Sequence, residues 1–430
     1  MEGMERKKLG VPALAGLLVG PVLGSGVILL PPLALEGAGS ASVAAWVVTL
    51  GIMGIFAGVT AALCLRYPGD GGLTEAVGAA FGPGAREACG WLLLGAVCFG
   101  PAAVLLTAGQ YLARAFPVPG GEVGGAVLLL LLALGLLLRR VTFVGTLALG
   151  ASTLIGAVLF AGSLGVLLHP APAVPLPPPS PLAFGRVLVL LFWAVIGWEI
   201  LGNYTGEIEN PRRTVPRAAG LAFGAVTGIY LVLVKALPRA AASGGGLPSL
   251  ADLLRPLFGG TAEGLLALLG TLLCLCTYLM VVGGVARLGV SMAERGRLPR
   301  FLGTRNAQGA PAAAAATLCG IHALGLGATA LGAVDVAFLV GAANGLFLLN
   351  ALLVVAAGAR LLPGRPSRWA SGFLALCFGG LFCLADRGAL LAVAAALLLS
   401  LLDLSPRRAV APRPCGVLPG GETAEASSGA

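Results

Sequence analysis

Long apolar stretches follow one another along almost the whole chain, each about twenty residues in length. A helix needs roughly twenty apolar residues to cross a bilayer, and about twelve such stretches fit within the 430 residues. Only 10% of the residues are charged, whereas soluble domains are about a quarter charged. We therefore predict an all-α polytopic membrane protein with little sequence left for a soluble domain. A water-soluble core, a coiled coil and general disorder are excluded.

The hydrophobic pattern predicts twelve transmembrane helices. Their predicted bounds are 11–35, 40–65, 88–112, 123–138, 141–168, 182–205, 216–237, 260–290, 311–331, 334–358, 368–385 and 388–404. The domain organisation that follows is a tail 1–10, a first five-helix repeat 11–169, a linker 170–181, a second repeat 182–362, helices eleven and twelve in 363–404, and a tail 405–430. The linker reads PAPAVPLPPPSP and is predicted to be stiff and extended.

The distribution of basic residues predicts the orientation of these helices. If the helices alternate in direction, 21 of the 27 Lys and Arg residues fall on the side of the two termini and six on the other. Cytoplasmic loops carry an excess of Lys and Arg, so both termini are predicted in the cytoplasm and the proline-rich linker outside the cell membrane. The net charge of +9 does not indicate nucleic-acid binding, because the basic residues separate hydrophobic runs and form no solvated patch.

A repeat is visible in the positions of the helices. The first helix is broken by Gly24-Ser25-Gly26, and the sixth has a possible break at Gly197-Trp198-Glu199, about 173 residues later. The second and third helices match the seventh and eighth at an offset of about 172 residues. Because five helices separate the copies, the second copy lies inverted in the membrane. Inverted repeats with discontinuous helices are typical of alternating-access transporters, although adjacent glycines can also form a packing groove for a neighbouring helix.

Two features of the breaks suggest a role in binding or in proton transfer. Freed amides at the start of a helix favour a small anion such as a carboxylate, which makes Gly24 to Gly26 a candidate binding segment. Glu199 lies within the sixth helix, and an acid inside the membrane is a candidate functional group. Burial favours its neutral form, so Glu199 is a candidate for proton coupling or for a pH-dependent gate. The alternative is a protonated structural acid bonded to a neighbouring helix.

Three other polar residues within the helices allow two interpretations each. Arg287 either extends its charge to the membrane surface or meets a charge partner in the inner vestibule. His322 is interpreted as a packed or lipid-edge histidine rather than a ligand. Asn344 either lines a pathway or bonds across helices. The nine cysteines are interpreted as small, mostly buried residues, and neither a metal nor a cofactor is predicted.

Four segments resemble a known family. GSGVILLP at 24–31, FWAVIGWE at 192–199, EIENPRRTVPRA at 207–218 and AERGRLPRFL at 293–302 look like the amino acid–polyamine–organocation (APC) superfamily. The order and spacing of these motifs cover about residues 10–365. Within the superfamily, ANGLFLLNALLVVAAGARLL at 343–362 and the start of helix three resemble the bacterial methionine and branched-chain amino acid exporters.

The resemblance implies a LeuT-type fold, in which two inverted five-helix repeats with broken helices one and six are followed by two further helices. It also implies that Gly24, Ser25 and Gly26 hold a substrate carboxylate, while carbonyls near Val22 and in the segment Trp193 to Gly197, including that of Ile196, take its amino group. Trp193 would be a gating aromatic, or alternatively a packing residue, and Glu199 a gate on the inner side. The walls would come from helices three, six, eight and ten. Their implied wall residues are Gly100, Pro101, Val104, Leu105, Trp193, Tyr278, Val281, Gly341 and Asn344.

Three departures from the family pattern argue against a cationic substrate and against proton coupling through a lysine. Arginine-type members carry a polar residue where this chain has Pro101, and a tryptophan near Tyr278 to Val281, and some relatives have a lysine in helix five. None of these is present. From these departures and from the resemblance to the exporters we expect a neutral aliphatic substrate (Leu, Ile, Val or Met), efflux as the direction, and a proton as coupling ion through Glu199. Uptake and exchange remain alternatives, and the sequence leaves the oligomeric state open.

Two other function classes fit poorly. An ion channel needs a continuous polar pore, usually from repeated subunits, and the chain has few membrane acids and no filter-like repeat. A membrane-embedded enzyme needs a nucleophile or metal constellation, but His169 and His322 lie far apart in the sequence and there is no HExxH motif. The sequence therefore favours a transporter whose partners are an amino acid, a proton and the lipid bilayer.

Overall fold

The computed structural model describes residues 8–24, 26–168, 176–240 and 248–384, together with four single positions between 390 and 398. In this part of the chain the regular structure is helical, apart from one isolated β-bridge between Leu9 and Ile208. Eight of the helical segments are long and apolar enough to cross a membrane, and Val11–Gly20 and Gly121–Leu137 are shorter apolar helices. The prediction of an all-α polytopic membrane protein is confirmed. The twelfth predicted helix, 388–404, lies outside the described residues except for the four single positions.

Fourteen α-helices can be numbered in chain order within the described residues. They are α1 (Val11–Leu23), α2 (Gly26–Ala38), α3 (Ser42–Arg66), α4 (Leu73–Phe81), α5 (Pro83–Ala115), α6 (Gly121–Leu137), α7 (Val141–Leu168), α8 (Pro181–Leu191), α9 (Pro211–Ala240), α10 (Leu250–Phe258), α11 (Ala262–Glu294), α12 (Ala312–Ala330), α13 (Val336–Leu361) and α14 (Arg365–Cys383). Several begin with standard start signals. Pro83 and Pro181 occupy first-turn positions, and the Asp335 side chain accepts a hydrogen bond from the Phe338 amide at 2.7 Å.

The first predicted helix is broken where the glycines stand. α1 ends at Leu23, and Gly24 follows with φ 38° and ψ −150°, a conformation that a glycine adopts far more readily than other residues. The Gly24 amide donates to the carbonyl of Gly20 at 2.7 Å, which closes the last turn of α1. α2 then starts at Gly26. Ser25 lies outside the described residues.

The sixth predicted helix is broken as well. α8 ends at Leu191, and a short 3₁₀ segment, Phe192–Ala194, leads to Gly197. Gly197 has φ 117°, and a second 3₁₀ segment, Trp198–Glu207, follows it. The break at Gly197 is therefore confirmed, but the chain beyond it forms a 3₁₀ helix rather than a second α-helix.

Two short helices, α4 and α10, were not predicted from the sequence. Each has nine residues, too few to register as a membrane span. α10 carries a readable start signal, because Ser249 and Asp252 form a capping box in which the Ser249 amide donates to the Asp252 carboxylate at 2.8 Å. α4 starts after Gly72, which has φ 59°.

The core of the bundle is built around α11. This 33-residue helix packs against α5, α1, α7, α10 and α12, and most of its side chains are buried. Outer helices instead expose large apolar side chains; Leu131 of α6 is 62% exposed and Leu324 of α12 is 76% exposed. Such exposure in water would favour aggregation, whereas in a bilayer these side chains contact lipid.

Candidate functional site

A small cavity lies in the middle of the bundle, beside the break of the sixth predicted helix. Its described lining residues are Gly100, Pro101, Val104, Trp193, Ile196, Gly197, Thr277, Tyr278, Val281 and Phe347. They come from α5, the segment after α8, α11 and α13. The cavity volume is about 30 Å³, enough for one or two water molecules. An amino acid therefore fits only if the walls move.

Trp193 links the two breaks. A methyl group added to the Cα of Gly26, at the start of α2, would lie 3.5 Å from Trp193 Cδ1. A methyl group added to Gly100 of α5 would lie 3.7 Å from Cη2 at the other end of the same indole. The indole therefore extends from the first break across to α5. This position is compatible with the gating aromatic that the resemblance implies.

The carbonyls of α1 near the break already have hydrogen-bond partners. The Tyr230 hydroxyl donates to the carbonyl of Val22 at 3.2 Å, and the Thr277 hydroxyl lies 3.3 Å from the carbonyl of Gly20. Tyr230 is held by stacking on Trp46, with ring centroids 4.2 Å apart. A substrate amino group at the Val22 carbonyl would therefore share it with Tyr230 or displace the hydroxyl.

Glu199 is bound to the second break itself. Its carboxylate accepts a hydrogen bond from the Gly197 amide at 3.0 Å, and its side chain is 2% exposed. The carboxylate therefore compensates an amide that the broken helix leaves without a regular partner. Any change in the ionisation of Glu199 would act directly on the backbone that lines the cavity.

A cluster of four charged residues lies at one end of the bundle, which we call the charged end. The charged cluster consists of Asp70, Glu207, Arg287 and Arg305. Arg287 Nε and Nη2 each donate to a carboxylate oxygen of Glu207 at 2.9 Å, and its Nη1 donates to the carbonyl of Gly283 at 2.7 Å. Arg305 bridges Glu207 and Asp70. Arg287 is 5% exposed, so the interpretation as a snorkelling residue is wrong and the charge-partner interpretation is right.

Backbone hydrogen bonds join the charged cluster to the segment before α1. The Leu9 amide donates to the carbonyl of Glu207 at 2.8 Å, and the Glu209 amide donates to the carbonyl of Leu9 at 2.9 Å.

Asp70 lies in the loop between α3 and α4. Burial raises the pKa of its carboxyl, and the charges of Arg305 and Arg287 oppose that rise. The ionised form of Asp70 therefore depends on the two arginines.

A second group of ion pairs lies at the same end. Arg295, just after α11, reaches Glu87 of α5 at 3.1 Å and Glu75 of α4 at 3.4 Å, and Arg86 reaches Glu75 at 3.0 Å. These contacts tie α4, α5 and α11 together. The short helix α4 positions Glu75 within reach of Arg86 and Arg295.

The structure brings together many of the residues expected at the binding site. Eight of them line the cavity: Gly100, Pro101, Val104, Trp193, Ile196, Gly197, Tyr278 and Val281. Leu105 and Asn344 do not; Leu105 is fully buried, and Asn344 Oδ1 has no hydrogen-bond partner among the described residues. Gly24 and Gly26 flank the first break but are not lining residues.

Sequence reasoning missed several residues. Thr277 and Phe347 were not expected in the wall, although Thr277 is adjacent to Tyr278 and Phe347 is one turn beyond Ala343, which packs against Gly100. Glu207 was missed as the partner of Arg287, because the two are 80 residues apart. No spacing signal connects residues so distant.

Comparison with known proteins identifies sequences that are similar to this chain. A family model described as amino acid permease matches residues 9–398. The L-methionine/branched-chain amino acid exporter YjeH of Escherichia coli is 30% identical over 413 residues, which covers 89% of this chain and 91% of the exporter. The uncharacterized amino acid permease YecA of Bacillus subtilis is 27% identical, covering 82% of this chain and 85% of that protein. A cadaverine/lysine antiporter of Escherichia coli is 27% identical, covering 71% of each chain.

A solved structure shows the same fold. The crystal structure of MhsT in complex with L-phenylalanine superposes with a TM-score of 0.55 at 14% identity, over 92% of this chain and 100% of that one. MhsT has the LeuT fold, so the expected LeuT-type architecture is confirmed. At this identity the likeness shows the fold alone.

Proposed function

The chain belongs to the amino acid permease family, and from that premise we propose that it is a secondary active transporter that exports neutral aliphatic amino acids from the cell by alternating access. Leucine, isoleucine, valine and methionine are the proposed substrates. The observation that carries the substrate class is the wall of the central cavity, since none of its described lining residues is charged.

The absence of charge from these walls argues against cationic substrates. A lysine ammonium or a guanidinium buried without a partner costs several kcal/mol, whereas one methylene more or less in an apolar pocket changes affinity by only about 1–3 kcal/mol. Cations should therefore be rejected strongly and aliphatic side chains distinguished weakly. The relative at 30% identity, an exporter of methionine and branched-chain amino acids, supports the same substrate class.

The proposed binding mode uses the two breaks. The amides around Ser25 and Gly26 would hold the substrate carboxylate at the positive end of α2, whereas the Gly24 amide is already bonded to the Gly20 carbonyl. The carbonyls of Val22 and of the Trp193 to Gly197 segment would take the ammonium group. The substrate side chain would then occupy an enlarged form of the cavity between Pro101 and Val281.

The access path is proposed to alternate between the two ends of the bundle. The charged cluster closes one end through a bidentate ion pair, and Trp193 covers the cavity beside the first break. We assign the charged end to the cytoplasm, because the segments there carry most of the Lys and Arg residues. The cytoplasmic cell membrane, with both termini inside, is the proposed location.

Proton coupling is proposed to act through Glu199. Its carboxylate is buried and bonded to the Gly197 amide, so gain or loss of a proton changes a hydrogen bond within the cavity wall. Export would then be linked to proton entry. Uptake and exchange are alternatives on the same scaffold, and relatives include both an antiporter and a branched-chain amino acid permease.

Counterflow in proteoliposomes tests the proposal. Vesicles loaded with unlabelled leucine should accumulate labelled leucine, and external methionine, isoleucine and valine should compete. Arginine and lysine should not compete at comparable concentrations. If arginine competes as well as methionine, the assignment of the pocket is wrong. A proton gradient imposed in either direction then identifies the direction of coupling.

A further inference from the structure

A proline interrupts α5 at the wall of the cavity. In an α-helix each carbonyl accepts a hydrogen bond from the amide four residues later. Pro101 has no amide hydrogen, so the carbonyl of Val97 cannot receive its regular bond. Val97 is fully buried, and a buried carbonyl without a partner is unfavourable. Another group must therefore satisfy it.

His322 of α12 satisfies this carbonyl. Its Nε2 lies 2.7 Å from the Val97 oxygen, and the side chain is fully buried. A carbonyl only accepts, so Nε2 carries the hydrogen, and in a neutral imidazole the other nitrogen is then an acceptor. The Tyr278 hydroxyl, 2.7 Å from Nδ1, therefore donates to the histidine. The direction of both hydrogen bonds follows from Pro101.

One end of this chain of bonds belongs to the cavity wall, and the other lies one turn away from it. Tyr278 of α11 lines the cavity, and the Val97 carbonyl belongs to the turn of α5 that precedes the lining residue Pro101, whereas His322 is not a lining residue. The other hydroxyl in the wall, that of Thr277, donates to the carbonyl of Leu273 at 3.0 Å. Among the described lining residues, each side-chain hydroxyl thus has its hydrogen committed to the protein. A polar substrate side chain would find no hydroxyl donor there.

We propose that His322 is a positioning residue that determines specificity: it holds the carbonyl left by Pro101 and takes the hydroxyl hydrogen of Tyr278, so that the pocket presents Tyr278 as an apolar surface. The inference rests on the proposed function, because it explains how a pocket with two hydroxyls selects an aliphatic side chain.

Two substitutions of His322 separate its two bonds. Asparagine places its amide where Nδ1 stands and can still accept from Tyr278, but it loses the bond to Val97. Glutamine places its amide where Nε2 stands and can still donate to Val97, but it removes the nitrogen that accepts from the Tyr278 hydroxyl. The remaining neighbour of that hydroxyl is Cys319 Sγ at 3.3 Å, which is only a weak acceptor. The freed hydroxyl can then donate to a polar substrate.

The measurement is competition by valine and by threonine against labelled leucine, because these two side chains have nearly the same shape. We expect His322→Gln to improve threonine relative to valine by about three- to tenfold, the value of one hydrogen bond. His322→Asn should keep the wild-type ratio. Tyr278→Phe combined with His322→Gln should also keep it, because no hydroxyl remains to be freed. An unchanged ratio in a folded His322→Gln protein, or an equal change in all three variants, would overturn the inference.

Thermal stability tests the positioning role independently of transport. His322→Asn should lower the melting temperature of the purified protein, and the loss should be smaller in a Pro101→Ala background, where residue 101 supplies the missing amide. Equal losses of melting temperature in both backgrounds would show that the stabilising role of His322 does not depend on Pro101.

The transport data separate the two proposals. If the wild type accepts no aliphatic amino acid at all, the proposed function fails together with the specificity role. If the wild type accepts aliphatic amino acids but His322→Gln leaves the ratio of threonine to valine competition unchanged, the proposed function stands and the specificity role fails.

Discussion

Neutralising Glu207 should open the charged end. In the structure the Glu207 carboxylate holds Arg287 by two hydrogen bonds of 2.9 Å and also reaches Arg305 at 3.4 Å. Glu207→Gln keeps the shape of the side chain but removes its charge, so the Arg287 guanidinium, which is 5% exposed, loses its hydrogen-bonded counter-ion and keeps only the more distant charge of Asp70. Under the proposal that this arrangement closes the charged end, the closed form loses stability relative to a form in which Arg287 reaches water.

The size of the effect follows from the remaining partners of Arg287. Breaking a buried ion pair by removing one partner costs about 3–5 kcal/mol. Glu207 is itself one quarter exposed, and Arg287 keeps the Gly283 carbonyl and the face of the Tyr204 ring at 4.5 Å, so we expect a lower value. A loss of about 2–3 kcal/mol shifts the ratio of closed to open forms by roughly 30- to 150-fold.

Cysteine labelling measures this shift. A Val281→Cys substitution, in a protein whose native cysteines have been replaced, places a thiol in the cavity wall, and its labelling rate reports access from the charged end. Glu207→Gln should raise that rate by one to two orders of magnitude. The matched control is Glu263→Gln, which breaks the exposed Arg255 ion pair of 2.9 Å and should change the rate little. A folded Glu207→Gln protein labelled no faster than the control would refute the reasoning. Adding Arg287→Met removes the unpaired charge and should slow labelling again.

Three further predictions concern the second break and the orientation in the membrane. Gly197→Ala should destabilise the protein by about 1–3 kcal/mol, because φ is 117° there, whereas Gly224→Ala in α9, where a methyl group meets open space, should be neutral or stabilising; equal melting temperatures would contradict the strain argument. Glu199→Gln keeps an oxygen for the Gly197 amide but cannot ionise, so the pH dependence of leucine transport should flatten while folding is retained, and an unaltered pH profile would make Glu199 purely structural. A cysteine at the exposed Ser180 should react with an impermeant reagent on intact cells and one at the exposed Arg212 should not; the reverse pattern would invert the topology.

The helical breaks could be predicted because their cause is local. Adjacent glycines in an apolar run weaken a membrane helix at that point, and a break in the membrane is tolerated where the backbone lines a cavity or is buried. Gly24 and Gly26 therefore identified the first break from the sequence alone, and Gly197, about 173 residues further on, indicated a possible second break at the matching position of the repeat. The residues at the breaks that line the cavity, such as Ile196 and Trp193, followed from the same signal together with the family resemblance.

The partners of buried polar residues could not be predicted, because they are set by tertiary packing. Arg287 and Glu207 are 80 residues apart, and Val97 and His322 are 225 residues apart. The sequence showed that Arg287 needed a partner but left snorkelling as an alternative, which is wrong. For His322, the sequence predicted only a packed or lipid-edge histidine. Pro101 carries a signal that this prediction did not use, since a proline within a helix frees a carbonyl four residues earlier.

The irregular backbone around the cavity is compensated by side chains, and this limits what a substrate can gain. Glu199 bonds the Gly197 amide, His322 the Val97 carbonyl, and Tyr230 the Val22 carbonyl. Within a membrane such groups cannot rely on water, so each needs a protein partner while the site is closed. A substrate bound at the breaks, as proposed, would therefore exchange hydrogen bonds with these side chains and would not simply add new ones. Each exchange contributes only the difference between two bonds, so the apolar side chain must supply much of the affinity through burial, about 25 cal/mol per Å². A transporter that must also release its substrate benefits from that balance. Under the proposed function, the apolar and uncharged wall between Pro101 and Val281 is then the main source of selectivity.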